Sequence, residues 1–277
     1  MRESAPFDDL AASYDATFSE SPLGTVLRRA VWRVLDEVLL PGMRVLELNC
    51  GTGVDAVHLA RRGLTVDATD GSPEMVRRAR QRAREVGLED RVRVNRLDLE
   101  AVGAWTTGRW DGAFSNFGGL NCVEDLSALA GALAVRLPAG APFVACLMGR
   151  RVPWEWGWFL RRGSVASAFR RFRRDGVGWR GIQVRYPPIG RVRRAFAPFF
   201  SRARLVPVGV TLPPTYARSV VDHRPRLLRC LAAVDRRLER WSWPAHLADH
   251  YVLVFRRTAR VEAPGVTGSR PRVRAEG

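Results

Sequence analysis

Val45-Leu46-Glu47-Leu48-Asn49-Cys50-Gly51-Thr52-Gly53 is an apolar run carrying one acidic residue that breaks into a glycine turn, and a helical pattern begins at Val54. Such a strand, turn and helix in series form a ligand loop. Gly51 and Gly53 carry no Cβ, so backbone N–H groups and the N-terminus of the following helix can approach a polar ligand closely. Asn49 stands where a third glycine would strengthen the pattern.

Corroboration comes at intervals downstream. Residues 64–70 read as a second short strand ending on Asp70 and followed by Gly71-Ser72-Pro73. A carboxylate at the C-terminal end of a strand can accept two hydrogen bonds from a vicinal diol, and it can equally cap the helix that Pro73 leads. A third strand over 92–98 again ends in a carboxylate, Asp98, with Leu99 after it. A fourth over 111–117 runs into Gly118-Gly119 before a helix at about 125–137, and a fifth spans 142–148. Strands alternating with helices predict an α/β, Rossmann-like, mostly parallel sheet whose ligands bind beyond the carboxyl ends of the strands. Glu47, Asp70, Asp98 and Asn116 all fall at or near that edge.

On these residues the chain resembles the class I S-adenosylmethionine-dependent methyltransferases, in particular the bacterial small-molecule type, over roughly residues 7–257. The resemblance implies S-adenosyl-L-methionine as cofactor. Its methionine part would lie on the loop of Glu47, Asn49, Cys50, Gly51 and Gly53. Asp70, with Gly71, would take the ribose, and Asp98, with Leu99, the adenine amino group. Met75 would lie against adenine, and Asn116 and Phe117 would flank the transferred methyl. The stretch from Phe7 to Asp15 resembles an amino-terminal helix whose tyrosine, here Tyr14, closes over the cofactor. A seven-stranded sheet is also implied, closed by an antiparallel pair for which 201–210 and 250–255 are the candidate strands. The rival reading, a dinucleotide-binding dehydrogenase built on Gly51, Gly53 and Ala56, leaves Asp98 without a role.

With 277 residues and 46% apolar content the chain can bury a full core. No apolar run approaches a membrane span, and the opening residues lack a secretory pattern, so a cytoplasmic location is expected. Cys50, Cys122, Cys146 and Cys230 are scattered without metal-type spacing and read as reduced thiols; no metal is expected. The expected organisation is a capping segment over 1–40, a cofactor-binding core over 41–149 and a lid over 150–188. The remainder of the core follows over 189–258 with a second helical insertion at 211–249, and a disordered tail over 259–277.

The net charge of +17 is unevenly spread, and none of it comes from lysine. Residues 1–149 hold 17 Arg against 20 acidic residues, 150–204 hold 15 against 2, and 205–277 hold 13 against 6. The positive field therefore sits in the segment after the fifth strand, which leaves the carboxyl edge and must cross the cleft. There Phe159, Val165, Ala166, Phe169 and Phe172 recur at helical spacing. They predict a lid helix with an aromatic stripe packed inward and arginines facing water. The same arginines suit an anionic small molecule, an acidic carrier protein or anionic lipid at a membrane surface.

Candidate general bases are His250, which the antiparallel last strand would start at the cleft edge, and His223, with Glu155 and Tyr186 in the lid. The function expected is methyl transfer to a small-molecule O, N or C nucleophile, by in-line displacement in a lid-covered cleft, in specialised metabolism. Two other readings stand beside it. An RNA methyltransferase would use the basic lid for backbone contacts, but Ser115-Asn116-Phe117-Gly118-Gly119 lacks the Pro-Pro-aromatic motif seen in base-amino methyltransferases. A non-catalytic cofactor-binding partner protein would keep the fold, against which the intact acids and glycines argue.

Overall fold

The computed structural model describes residues 7–8, 11, 14–99 and 108–259. After a short π-helical turn, Asp15–Ser19, the chain forms α1 (Pro22–Val38), β1 (Arg44–Leu48), α2 (Val54–Arg61), β2 (Thr65–Asp70), α3 (Pro73–Glu85), β3 (Val92–Arg96), β4 (Gly112–Ser115), α4 (Leu126–Arg136) and β5 (Pro142–Met148). The segment after β5 holds α5 (Pro153–Leu160), a single turn α6 (Val165–Ala168) and a small hairpin of β6 (Val177–Trp179) and β7 (Ile182–Val184). The chain then returns through α7 (Ile189–Phe196), β8 (Phe200–Val208), α8 (Pro225–Leu238) and β9 (His250–Arg257).

The main sheet has seven strands in the order β3-β2-β1-β4-β5-β9-β8. Pairs among the first five are parallel, and β9 runs antiparallel between β5 and β8. The strands β5 and β9 read as continuous apolar runs because both faces are covered. One face packs against α1, α2, α3 and α8, the other against α4 and α7. Three helix starts are set by short polar caps. Ser21 and Ser72, each followed by proline, accept from the backbone of Gly24 and Met75, and Asp125 accepts from Ser127 and Ala128. Each such cap contributes about 1 kcal/mol.

Three expectations need correction. The stripe from Phe159 to Phe172 is not one helix. Gly163 N–H donates to the Leu160 carbonyl at 3.0 Å and Ser164 N–H to the Phe159 carbonyl at 2.9 Å, a Schellman closure with Gly163 at φ +72 that ends α5. Val165 and Phe169 are exposed, so the stripe does not pack inward throughout. Nor do all its arginines face water, since Arg171 is buried. The third strand ends at Arg96, leaving Asp98 two residues past it, exposed. The expected tail lies outside the described residues apart from Ala259. Among the described residues no helix is long and apolar enough to cross a membrane, and none of the four cysteines forms a disulfide.

Candidate functional site

The glycine loop leaves β1 through two left-handed residues, Asn49 at φ +57 and Gly51 at φ +54, and reaches a third at Gly53, φ +78. Asparagine is among the few side chains that tolerate this region, which explains how it occupies a position suited to glycine. The Asn49 side chain lies against Gly119, where an added Cβ would stand 2.4 Å from its Cγ and 2.6 Å from its Cβ. Gly119→Ala is therefore expected to cost about 1–3 kcal/mol in a thermal melt. Rotating the amide cannot clear the clash with Cβ, so Asn49→Gly in the same chain should restore most of the loss; equal costs in both backgrounds would refute this contact.

Asp70 clamps the loop. One carboxylate oxygen accepts from Gly51 N–H and the other from Ser72 N–H, both at 2.9 Å. Burial raises its pKa, against the pull of those N–H groups. Behind the loop Glu47 is buried, and its Oε2 has no hydrogen-bond partner. Burial, reinforced by the charge of Asp55 and tempered by Arg28, lifts its pKa well above the carboxylate range. An orphaned buried carboxyl oxygen, beside a turn in which Gly51 and Gly53 carry no side chain, is where a polar ligand group fits.

The amino-terminal segment covers the loop. A Cβ on Gly51 would lie 3.9 Å from the Tyr14 ring. Asp15 accepts from Thr52 Oγ1 at 2.6 Å and pairs with Arg82, while Asp8 accepts from Ser72 Oγ and from Glu74 N–H. Ionic and hydroxyl contacts at both ends thus hold Tyr14 over the loop. Met75 is buried in the first turn of α3, and Leu99 is buried with the opposite core cluster.

Sequence reasoning missed the polar centre of the site. Asp55, in the first turn of α2, accepts from Arg28 at 2.7 Å, from Trp32 Nε1 at 2.6 Å and from Asn116 Nδ2 at 2.9 Å. Burial opposes the Asp55 charge, but Arg28 overrides it and the pKa falls. The Arg28 guanidinium in turn lies over Phe18 and Phe117 at 5.5 and 5.0 Å. Phe117 is held at φ +46, a strained conformation for a bulky residue, and meets Phe18 edge-on at 4.8 Å and His250 edge-on at 5.5 Å. Arg28 left a signal, because it interrupts the apolar face of Gly24, Leu27 and Val31 on α1.

Of the four candidate bases, His250 is the one whose ring meets Phe117. Its Nδ1 lies 3.1 Å from Asp249 Oδ2, outside hydrogen-bond geometry. Burial opposes ionisation of Asp249, but Arg171, with His250, holds the carboxyl well below its usual range. Arg171 joins two buried acids. It donates to Asp249 Oδ1 at 2.8 Å and to Glu155 Oε2 at 2.7 Å. Glu155 also accepts from Arg170 at 2.8 Å and from Tyr216 OH at 3.1 Å. Tyr186 lies under the Arg171 guanidinium, 5.1 Å from it. Glu155 and Tyr186 are thus bound into one network with Asp249, whereas His223 is exposed in the turn before α8.

Residues 45–140 match the family model described as a methyltransferase domain. An S-adenosyl-L-methionine-dependent Diels-Alderase of Talaromyces variabilis is 32% identical over 126 residues, 45% of this chain and 43% of that protein. A demethylmenaquinone methyltransferase of Renibacterium salmoninarum is 34% identical over 145 residues, 51% of this chain and 56% of that protein. The chain spans about half the length of the curated relatives it matches. A geranyl diphosphate C-methyltransferase of Streptomyces coelicolor A3(2) shares the fold, with a TM-score of 0.55 at 14% identity over 83% of this chain and 77% of that one. Residues 45–140 are thus similar to a methyltransferase domain, and they carry the glycine loop between β1 and α2 on a seven-stranded sheet whose fold the solved methyltransferase shares.

Proposed function

We propose that the chain transfers a methyl group from S-adenosylmethionine to a small-molecule acceptor. The observation that carries the reading is the buried, unpartnered Glu47 carboxyl oxygen behind a loop whose Gly51 lies under Tyr14 and is clamped by Asp70. Glu47, Asn49, Cys50, Gly51 and Gly53 would hold the methionine part of the cofactor, Asp70 and Gly71 the ribose, and Met75, Asp98 and Leu99 the adenine. The cofactor would supply a methyl carbon already activated by a sulfonium. The chain's own task is alignment and exclusion of water, and a well-oriented pair can account for about 7–11 kcal/mol of the barrier.

Phe18, Phe117 and the Arg28 guanidinium form the wall beside which an acceptor would lie. His250 is the proposed base. With Nδ1 on the side of Asp249, 3.1 Å from its carboxylate, Nε2 is left to take a proton from the nucleophile, a contribution on the order of 10²–10⁴ in rate. Arg171, Glu155 and Tyr186 position that pair rather than act on the acceptor. The arginines and tryptophans of residues 150–188 support an anionic or aromatic acceptor. Four cysteines without a disulfide among them support a reducing, cytoplasmic setting.

Calorimetric titration of S-adenosylmethionine tests the reading. Wild type is expected to bind in the micromolar range, and Asp70→Ala to lose at least about 30-fold, since it removes both the diol acceptor and the Gly51 clamp. His250→Ala should keep that affinity while lowering turnover of phenolic acceptors, whose proton must be removed, and leaving carboxylate acceptors unaffected. No heat with folded wild-type protein would sink the function, and unchanged turnover of phenolic acceptors in His250→Ala would sink only the base.

A further inference from the structure

Successive residues of β9 point to opposite faces of the sheet: His250 toward Phe117, and Tyr251 into the core cluster on the other side. On that other side a pocket of about 380 Å³ opens between the residues after β5, the first turn of α7 and the start of β9. Its donors are unusually concentrated. Arg150, Arg151 and His246 line it together with Ile189 and Gly190, and none of its ten lining residues is acidic. The first N–H groups of any helix lack intrahelical partners, and α7 starts after Pro188, whose side chain makes no capping bond. Its positive end therefore opens into the pocket.

Two buried polar atoms point to a ligand independently of the helix. Tyr251 is 1% exposed and lines the pocket, yet its hydroxyl has no hydrogen-bond partner. Arg150 Nε is likewise buried without a partner, on a half-buried side chain whose guanidinium lies over Phe172 and donates to the Phe172 carbonyl at 3.2 Å. A phenylalanine would fill the Tyr251 site without burying an unsatisfied hydroxyl, so the tyrosine makes sense when something accepts from it. Phe172, Ile189 and the prolines give the pocket apolar walls.

The geometry points to a second ligand site here, separate from the glycine loop. It takes a small organic anion with a phosphate or carboxylate head on an apolar body. The head accepts from Tyr251 OH, from Arg150 and Arg151 and from the first turn of α7. The body lies against Phe172 and Ile189. This site does not depend on methyl transfer.

Phenyl phosphate and inorganic phosphate, titrated calorimetrically into the full chain, separate head from body. Wild type is expected to bind phenyl phosphate at roughly millimolar or tighter and inorganic phosphate more weakly. Tyr251→Phe and Arg151→Ala should each weaken phenyl phosphate by about tenfold, the loss of one hydrogen bond or one charge. Binding of S-adenosylmethionine should be the same in all three proteins, which shows that the glycine-loop site is intact. Unliganded Tyr251→Phe should melt no lower than wild type, because the removed hydroxyl had no partner. Absence of heat with wild type at 10-fold the expected concentration overturns the proposal. So does equal affinity in wild type and both variants, which would place the anion on another arginine surface.

Discussion

Asp55→Ala is expected to lower the melting temperature by about 6–20 °C. The substitution removes three contacts at once, from Arg28, Trp32 and Asn116. More important is what it leaves behind. Arg28 is 5% exposed and its Nε already lacks a partner, so without Asp55 a buried guanidinium loses the carboxylate it is bonded to. Breaking a buried pair by removing one partner costs about 3–5 kcal/mol, and a domain of this size loses about 2–4 °C per kcal/mol. Asp55→Asn, which keeps an acceptor for Trp32 but not the charge, should fall between. The stronger test is a double-mutant cycle with Arg28→Met. Once Arg28 is gone, Asp55→Ala should cost far less, giving a coupling energy on the order of 2–3 kcal/mol. A melt of Asp55→Ala within about 2 °C of wild type, or additive costs in the cycle, would show that the pair holds nothing. The same variant should weaken cofactor binding, because Asn116 at the end of β4 is tied to the start of α2 through Asp55.

That network also marks the limit of what the chain discloses by itself. The strands β1 to β5 can be placed within about two residues, because β1, β4 and β5 are short apolar runs covered on both faces and Pro73 and Asp125 announce the helices that follow β2 and β4. The glycine loop is legible for the same reason: Gly51 and Gly53 sit where a strand pattern turns into a helix pattern. Asp55 and Arg28 are 27 positions apart, and no periodicity links them. They are visible only as charged residues standing on otherwise apolar helix faces. The segment after β5 misleads in the opposite way. Phe159, Phe169 and Phe172 keep a helical period across a break, and only Gly163 shows that the helix has ended. Arg171 reads as one more surface charge in a run of arginines because its partners, Glu155 and Asp249, are 16 and 78 residues away.

Arg171→Ala should be comparably destabilising, and its pH dependence identifies the cause. Glu155 and Asp249 are 1% and 4% exposed, and among the described residues Arg171 is the one cation bonded to both. Its loss leaves Asp249 with His250 alone and Glu155 with Arg170 and Tyr216. A cost of about 3–5 kcal/mol follows at neutral pH, again a fall of about 6–20 °C. Arg171→Lys should recover little, since one ammonium cannot reproduce a planar fork that donates through separate nitrogens to two carboxylates and to the Gly149 carbonyl. The sign of the pH effect comes from Asp249, whose folded pKa is depressed because the pull of Arg171 and His250 exceeds the penalty of burial. A depressed carboxyl contributes stability that is present above its unfolded pKa of about 3.9 and is lost as pH falls toward the folded value. Arg171→Ala removes the main source of that depression. The gap between wild type and variant should therefore be widest near pH 7 and should narrow as the pH drops below about 4. A gap that stays constant from pH 7 to pH 3 would assign the loss to packing of the Arg171 stem on Tyr186 rather than to charge. If the charge reading holds, the variant should also lose turnover faster than cofactor affinity, since the ionised Asp249 that it disturbs stands 3.1 Å from His250, the base proposed above.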